Sequence, residues 1–104
     1  MVLRSPESPA EWEAYYLCRW QWLRAPWGLP RGSERNPADS AAIHRALFET
    51  EGNLPSLRAV GCVLLPDEIG DPARVRFVAT DPALRRAGLG RQLMEALEIV
   101  ATTR

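Results

Sequence analysis

The sequence contains no lysine; all 13 of its basic residues are arginine, balanced by 13 acidic residues to a formal net charge of zero. A Walker-type phosphate loop, which needs a lysine after its second glycine, is therefore excluded. Zero net charge also removes the basic excess that marks general binders of nucleic acid or anionic membrane. The arginines are scattered from Arg4 to Arg104, so no nucleic-acid partner is expected. Cysteine is scarce too. Cys18 and Cys62 lie far apart with neither CxxC nor Cys/His spacing, so no metal and no disulfide framework is signalled, and a reduced, intracellular setting is expected. No run approaches the ~20 apolar residues needed to span a bilayer. Residues 1–9, with Arg4, Glu7 and two prolines, hold no apolar stretch of the secretory kind. A soluble, cytoplasmic chain with no membrane partner is the expectation, and 104 residues allow a single core and a single domain.

Aromatic residues are concentrated in one place: six of the eight (Trp12, Tyr15, Tyr16, Trp20, Trp22 and Trp27) fall between positions 12 and 27. Ser8 has the character of an N-cap, with Pro9 at the first helical position and Glu11 at the capping-box position. A helix is predicted over residues 8–24, burying Trp12, Tyr16, Trp20 and Leu23 on one face, and stopped by Pro26. The surplus of aromatics reads as core and rim packing, with a substrate-facing wall as the alternative. Residues 26–37 (PWGLPRGSERNP) form a loop long enough to bind something.

Residues 39–50 are ambiguous. Asn36, Pro37 and Gly52, with Ile43, Ala46 and Leu47 at helical spacing, favour a helix. A strand would put His44, Ala46 and Phe48 on one face and Ile43 and Leu47 on the other. Residues 59–65 (AVGCVLL) read as a buried strand. Residues 74–80 (RVRFVAT) alternate, with Val75, Phe77 and Ala79 opposite Arg74, Arg76 and Val78. The last element, residues 88–102, is an amphipathic helix presenting Leu89, Leu93, Ala96, Leu97 and Val100 to a sheet.

The stretch that carries chemistry is 78–93 (VATDPALRRAGLGRQL): a strand end, an Asp-Pro turn, then Arg85-x-x-Gly88-x-Gly90 opening a helix. A helix N-terminus exposes unpaired N–H groups and partial positive charge, favouring an anion by ~0.3–1 kcal/mol. Gly88 and Gly90 remove Cβ atoms that would keep a phosphate away, and Arg85, Arg86 and Arg91 add charge. This is a pyrophosphate cradle. It is not the dinucleotide fingerprint, which needs a third glycine where Leu93 stands and an acidic residue ~20 positions on.

Strand, Asp-Pro turn, RxxGxG and amphipathic helix in this register resemble the acetyl-CoA motif of the GNAT N-acetyltransferase family. The resemblance implies an α/β fold: a mixed, mainly antiparallel sheet flanked by helices, here without the family's C-terminal strands. Its template places a strand hairpin before the 59–65 strand, which decides for strand over residues 43–50. It implies acetyl-CoA as cosubstrate, its pantetheine arm along Val78, Ala79 and Thr80. The pyrophosphate would lie against Arg85, Arg86, Ala87, Gly88, Leu89, Gly90 and Arg91. A strand N–H near Val78 would polarise the thioester carbonyl. It implies transfer of acetyl to a small-molecule or protein amine, and the 26–37 loop would border the acceptor.

The sequence also departs from the family. Many members carry a glutamate base on the strand equivalent to 74–80, which here has no carboxylate, and a tyrosine acid from a later helix, which would lie beyond Arg104. Catalytic residues are therefore unassigned. Glu49, Glu51, Asp67 and Glu68 are possible water-relay carboxylates, and His44 reads as a strand residue. The motif's position marks residues 1–104 as about two thirds of the family's domain: a fragment, a chain completed by a second copy as a homodimer, or a non-catalytic module that dimerises through its exposed sheet edge.

Overall fold

Ser8 opens the first helix as its spacing predicts, its hydroxyl accepting the Glu11 N–H at 3.1 Å. The computed structural model describes residues 2–49, 56–64, 72–83 and 88–102. In chain order these form strand β1 (Val2–Arg4), helix α1 (Pro9–Leu23), 3-10 turns at Ala25–Trp27 and Pro37–Ala41, strands β2 (Ile43–Glu49), β3 (Ser56–Leu64) and β4 (Arg74–Thr80), and helix α2 (Leu89–Thr102). The sheet runs β1-β2-β3-β4, and every pair among the described residues is antiparallel. One face packs Ala46, Phe48, Leu57, Val60 and Ala79 against α1. The other packs Leu47, Ala59 and Val63 against Leu89, Leu93 and Leu97 of α2. This is the expected α/β architecture.

The capping box is only half formed. The Glu11 carboxylate turns away from the cap, accepting the Glu7 N–H at 2.9 Å and pairing through both oxygens with Arg4 at 2.8 and 2.6 Å. That pair, and the Arg4 guanidinium 4.1 Å above the Phe48 ring, hold β1 beside β2. A three-residue strand is too short to carry a periodicity that could be read. The Arg4 cation holds the Glu11 carboxyl down to about 2.

Residues 43–49 are strand, with His44, Ala46 and Phe48 towards α1 and Ile43 and Leu47 towards α2. The helix-start signals were genuine but belong to the 3-10 turn before it. The Asn36 side chain accepts from the Ala38 N–H and Asp39 returns to the Asn36 N–H, a complete capping box.

The predicted faces need correction at one residue of α1 and along β4. On α1, Trp12, Tyr16 and Leu23 pack into the core as expected, but Trp20 does not join them, and the fully buried positions are Tyr15 and Arg19. On β4 the alternation breaks at a bulge: Val60 pairs with Ala79 and Cys62 with Arg76, leaving Phe77 and Val78 opposite Gly61. Phe77 adopts φ +55, a left-handed conformation costing an L-residue ~1–2 kcal/mol. The extra residue throws Val78 onto the α2 face beside Val75, while Ala79 faces α1.

Gly61 lets α2 lie close. A Cβ there would come within 2.9 Å of Leu97, 3.2 Å of Leu93 and 3.3 Å of Val78 side-chain carbons. Gly61→Val should therefore lower stability by about 1–3 kcal/mol through overpacking, measured by urea unfolding. Gly61→Ala, whose single methyl has its tightest contacts with the flexible ends of Leu97 and Leu93, should cost less.

Candidate functional site

Two regions gather chemistry-bearing residues: the junction of β4 with α2, and a buried polar network between α1 and the sheet. The junction contains the predicted cofactor residues. Thr80 ends β4 paired with Ala59. Arg58, on β3, reaches Asp81 at 3.2 Å and also grips Glu49, while Asp81 accepts the Ala83 N–H at 3.0 Å. The Asp-Pro turn is thus tied to the sheet. Arg85, Arg86 and Ala87 lie outside the described residues, as do Glu51, Asp67 and Glu68 among the suggested relay carboxylates. Glu49 is committed to Arg58.

Gly88 precedes α2 with φ +74, and among the described residues nothing stands where a Cβ would project; its carbonyl accepts the Gln92 N–H at 3.1 Å. The two glycines have different physical reasons. Gly88 adopts a backbone conformation that other residues enter at a cost, whereas a Cβ on Gly90 would stand 3.3 Å from the Thr80 methyl. Gly90 lets the first turn of α2 rest against the end of β4. Leu89 is buried and anchors that turn; Arg91 is 87% exposed and only loosely paired with Glu95 at 3.9 Å. Val78, Ala79, Thr80, Gly88, Leu89, Gly90 and Arg91 are therefore brought to one end of the sheet. The bulge leaves backbone groups of β4 without ladder partners on β3, and no strand lies on β4's other side among the described residues.

The buried network was not foreseen. Arg19 is fully buried; its Nη1 donates to both Asp39 carboxylate oxygens at 3.1 and 3.0 Å and to the Glu34 carbonyl at 3.1 Å, and its Nη2 to the Tyr15 hydroxyl at 3.2 Å. Its Nε has no hydrogen-bond partner among the described residues, and the guanidinium lies 4.5 Å from the Phe77 ring centroid and 5.0 Å from that of Tyr16. Aromatic faces there replace water for the cation. His44 follows from the same accounting. Its Nε2 lies 2.8 Å from the Asp39 carbonyl oxygen, which can only accept, so Nε2 carries the proton. Nδ1 lies 2.9 Å from the Tyr15 hydroxyl, which is also 3.0 Å from the Gly61 carbonyl opposite the β4 bulge.

Asp39, His44 and Cys62 hold potential ligand atoms within 4.8 Å of one another, but a metal ion among them would face the Arg19 guanidinium. The trio reads better as the anionic and polar lining of a buried cation. Burial raises the Cys62 thiol and pushes that of Cys18 up to about 11, so neither is an activated nucleophile. Among the other aromatics, Trp20 donates its indole N–H to the Leu29 carbonyl at 2.9 Å, and Trp27 is 80% exposed. Most of the cluster is therefore packing, as the composition suggested. The signal that could have marked Arg19 is its place on the aromatic stripe, four residues after Tyr15.

The chain thus forms an α/β domain in which a bulged strand and a helix preceded by glycine meet at one end of an antiparallel sheet packed between two helices. The sequence model of the acetyltransferase (GNAT) family matches residues 7–104. The chain belongs to that family. Among the described residues no helix is long and apolar enough to cross a membrane.

The network generates a stability test. Tyr15→Phe removes the hydroxyl that joins Arg19, His44 and Gly61, and should cost about 1–3 kcal/mol by leaving buried groups unpaired, read by urea unfolding. Burial holds the His44 imidazole below its ordinary range. The unfolded chain therefore binds that proton more readily, and stability should rise with pH from the lowered value up to about 6.5. His44→Gln should flatten that slope.

Proposed function

We propose that this chain transfers an acetyl group from acetyl-CoA to a primary amine by direct attack of the amine on the thioester. The carrying observation is the β4–α2 junction: a strand with no further strand on its outer side among the described residues ends beside the first turn of a helix preceded by Gly88. An extended amide-bearing arm needs the first and a pyrophosphate the second. Val78, Ala79 and Thr80 would hold the arm, and Gly88, Leu89, Gly90 and Arg91, with Arg85, Arg86 and Ala87, the phosphates. Acetyl-CoA supplies the activated acyl group. A backbone N–H at the bulge would stabilise charge developing on the carbonyl oxygen.

In the step itself the amine nitrogen forms a bond to the carbonyl carbon, the carbon–sulfur bond breaks, and the proton lost by nitrogen balances the thiolate released. A lysine-like amine with pKa ~10.4 costs ~4.6 kcal/mol to deprotonate at pH 7, against ~1.4 kcal/mol for an amine near 8. With no carboxylate on β4 and Glu49 held by Arg58, an acceptor of lower pKa suits this site better. The acceptor is a small-molecule or protein amine. Two free thiols support a cytoplasmic setting.

Coenzyme A at about 1 mM should raise the melting temperature by several degrees through binding linkage. Arg91→Glu, a reversal at an exposed position, should weaken that binding about three- to tenfold with the fold intact, since one charge near a helix N-terminus is worth about 1 kcal/mol. No stabilisation of the wild type, together with a dimer by sedimentation, would replace this reading by that of a non-catalytic module paired through β4.

A further inference from the structure

The opposite edge of the sheet carries a concavity that the acetyl-transfer reading does not use. β1 covers only Ala46, Leu47 and Phe48 of β2, and the chain leaves the sheet at Ser5. Ile43, His44 and Arg45 are therefore left without a strand on that side among the described residues. Beside them lies a cavity of about 680 Å³ whose wall is completed by Trp12 and Tyr16 of α1 and by Arg35, Asp39 and Ser40 of the preceding segment. That volume falls within the range of small-molecule sites, about 300–1,000 Å³.

Its lining combines a flat apolar surface with unbalanced positive charge. The Trp12 and Tyr16 rings lie 6.1 Å apart and near parallel, and Trp12 meets His44 edge-on at 5.2 Å. The Arg35 guanidinium covers the Tyr16 ring at 3.8 Å and shares the single Glu34 carboxylate with Arg31. Asp39 is the one acidic residue on the wall, and it is committed to Arg19 at 3.0 Å. Arg45 has no acidic partner among the described residues; its Nη1 donates only to the His44 carbonyl, at 2.8 Å. Arg35 thus stands over an aromatic face, and Arg45 lines the same concavity from the open edge of β2, while the Asp39 carboxylate is already paired with Arg19. Ser40 adds a hydroxyl.

We infer that this cavity binds a small carboxylate-bearing molecule with a flat or apolar body, its anionic end between Arg35 and Arg45 and its body against Trp12 and Tyr16. The site stands apart from the β4–α2 junction and does not depend on it. The ligand's source is either the amine acceptor itself or a separate effector. His44, Cys62 and Arg76 are in register across β2, β3 and β4, so the cavity wall is two strand spacings, about 10 Å, from β4.

Three probes test this with the whole chain: benzoate, its neutral isostere benzamide, and 4-(aminomethyl)benzoate, followed through the indole N–H signals in nuclear magnetic resonance spectra. Benzoate is expected to shift the Trp12 signal and leave that of the exposed Trp27 unmoved. Benzamide should bind about tenfold more weakly, and Arg45→Gln should weaken benzoate by a similar factor, the loss of one charge-assisted contact. Arg45 lies in a solvent-accessible position, and an unchanged far-ultraviolet circular dichroism spectrum verifies the variant's fold. Acetylation of 4-(aminomethyl)benzoate in the presence of acetyl-CoA, read by mass spectrometry, assigns the site to the acceptor; binding without acetylation assigns it to an effector. The inference is overturned if benzoate leaves Trp12 unmoved at about 20 mM, a concentration that would reveal even millimolar affinity, if benzamide binds equally well, or if Arg45→Gln changes nothing.

Discussion

The burial of the Arg19 guanidinium is the constraint on which the rest of the structure depends. A cation taken wholly out of water costs several kcal/mol unless the protein rebuilds its solvation. Here four separate segments do so. α1 supplies Tyr15, the loop the Glu34 carbonyl, the second 3-10 turn the Asp39 carboxylate, and β4 the Phe77 ring. None of these groups is near Arg19 in sequence except Tyr15. The loop between α1 and β2 therefore has a reason to be ordered despite its prolines and glycines. Glu34 is itself buried, closing the loop by accepting the Gly32 N–H at 2.8 Å. The cation converts a polar, turn-rich segment into a fixed wall of the α1 layer.

The same interaction reaches the site. Phe77 lies under the guanidinium with a positive φ, and the bulge it forms is what separates the Val60–Ala79 pair from the Cys62–Arg76 pair. On the other strand, the Gly61 carbonyl opposite the bulge accepts from Tyr15, which in turn accepts from Arg19. Strain in Phe77 persists because its neighbours over-determine it: a cation above, a tyrosine hydroxyl on the facing carbonyl, and the Gly61 backbone pressed against α2. The irregularity in β4 is part of the packing and does not await a ligand.

The legible parts of this fold were those encoded locally. Ser8-Pro9 states where α1 begins, and Arg74 to Thr80 reads as a strand because β-branched and charged residues alternate. The strand at residues 43–49 was legible only through family resemblance, since the local capping signals of Asn36 and Asp39 were real and belonged to a turn just upstream. The alternation on β4 misassigned faces because a bulge depends on the partner strand, which no single-strand pattern records. Arg19 was hidden for a similar reason. An arginine on an aromatic stripe reads as surface until its three acceptors, contributed from positions 15, 34 and 39, are brought together. Of the candidate cofactor residues, Val78 through Thr80 and Gly88 through Arg91 meet where the first turn of α2 rests against the end of β4, and Arg85 through Ala87 lie outside the described residues.

The two motif glycines bear on how such a junction works. If both existed to admit a phosphate, both would border open space; among the described residues Gly88 does and Gly90 does not. Gly90 is instead required by Thr80, as Gly61 is required by Leu93 and Leu97. These close approaches pin α2 to the sheet at its middle and at its first turn, so the helix N-terminus is held against the end of β4 by packing alone. The partial positive charge of its first turn is thereby fixed in place, so an anion docking there would incur little cost in ordering the backbone. A motif that reads as a ligand signature is in this respect a packing specification.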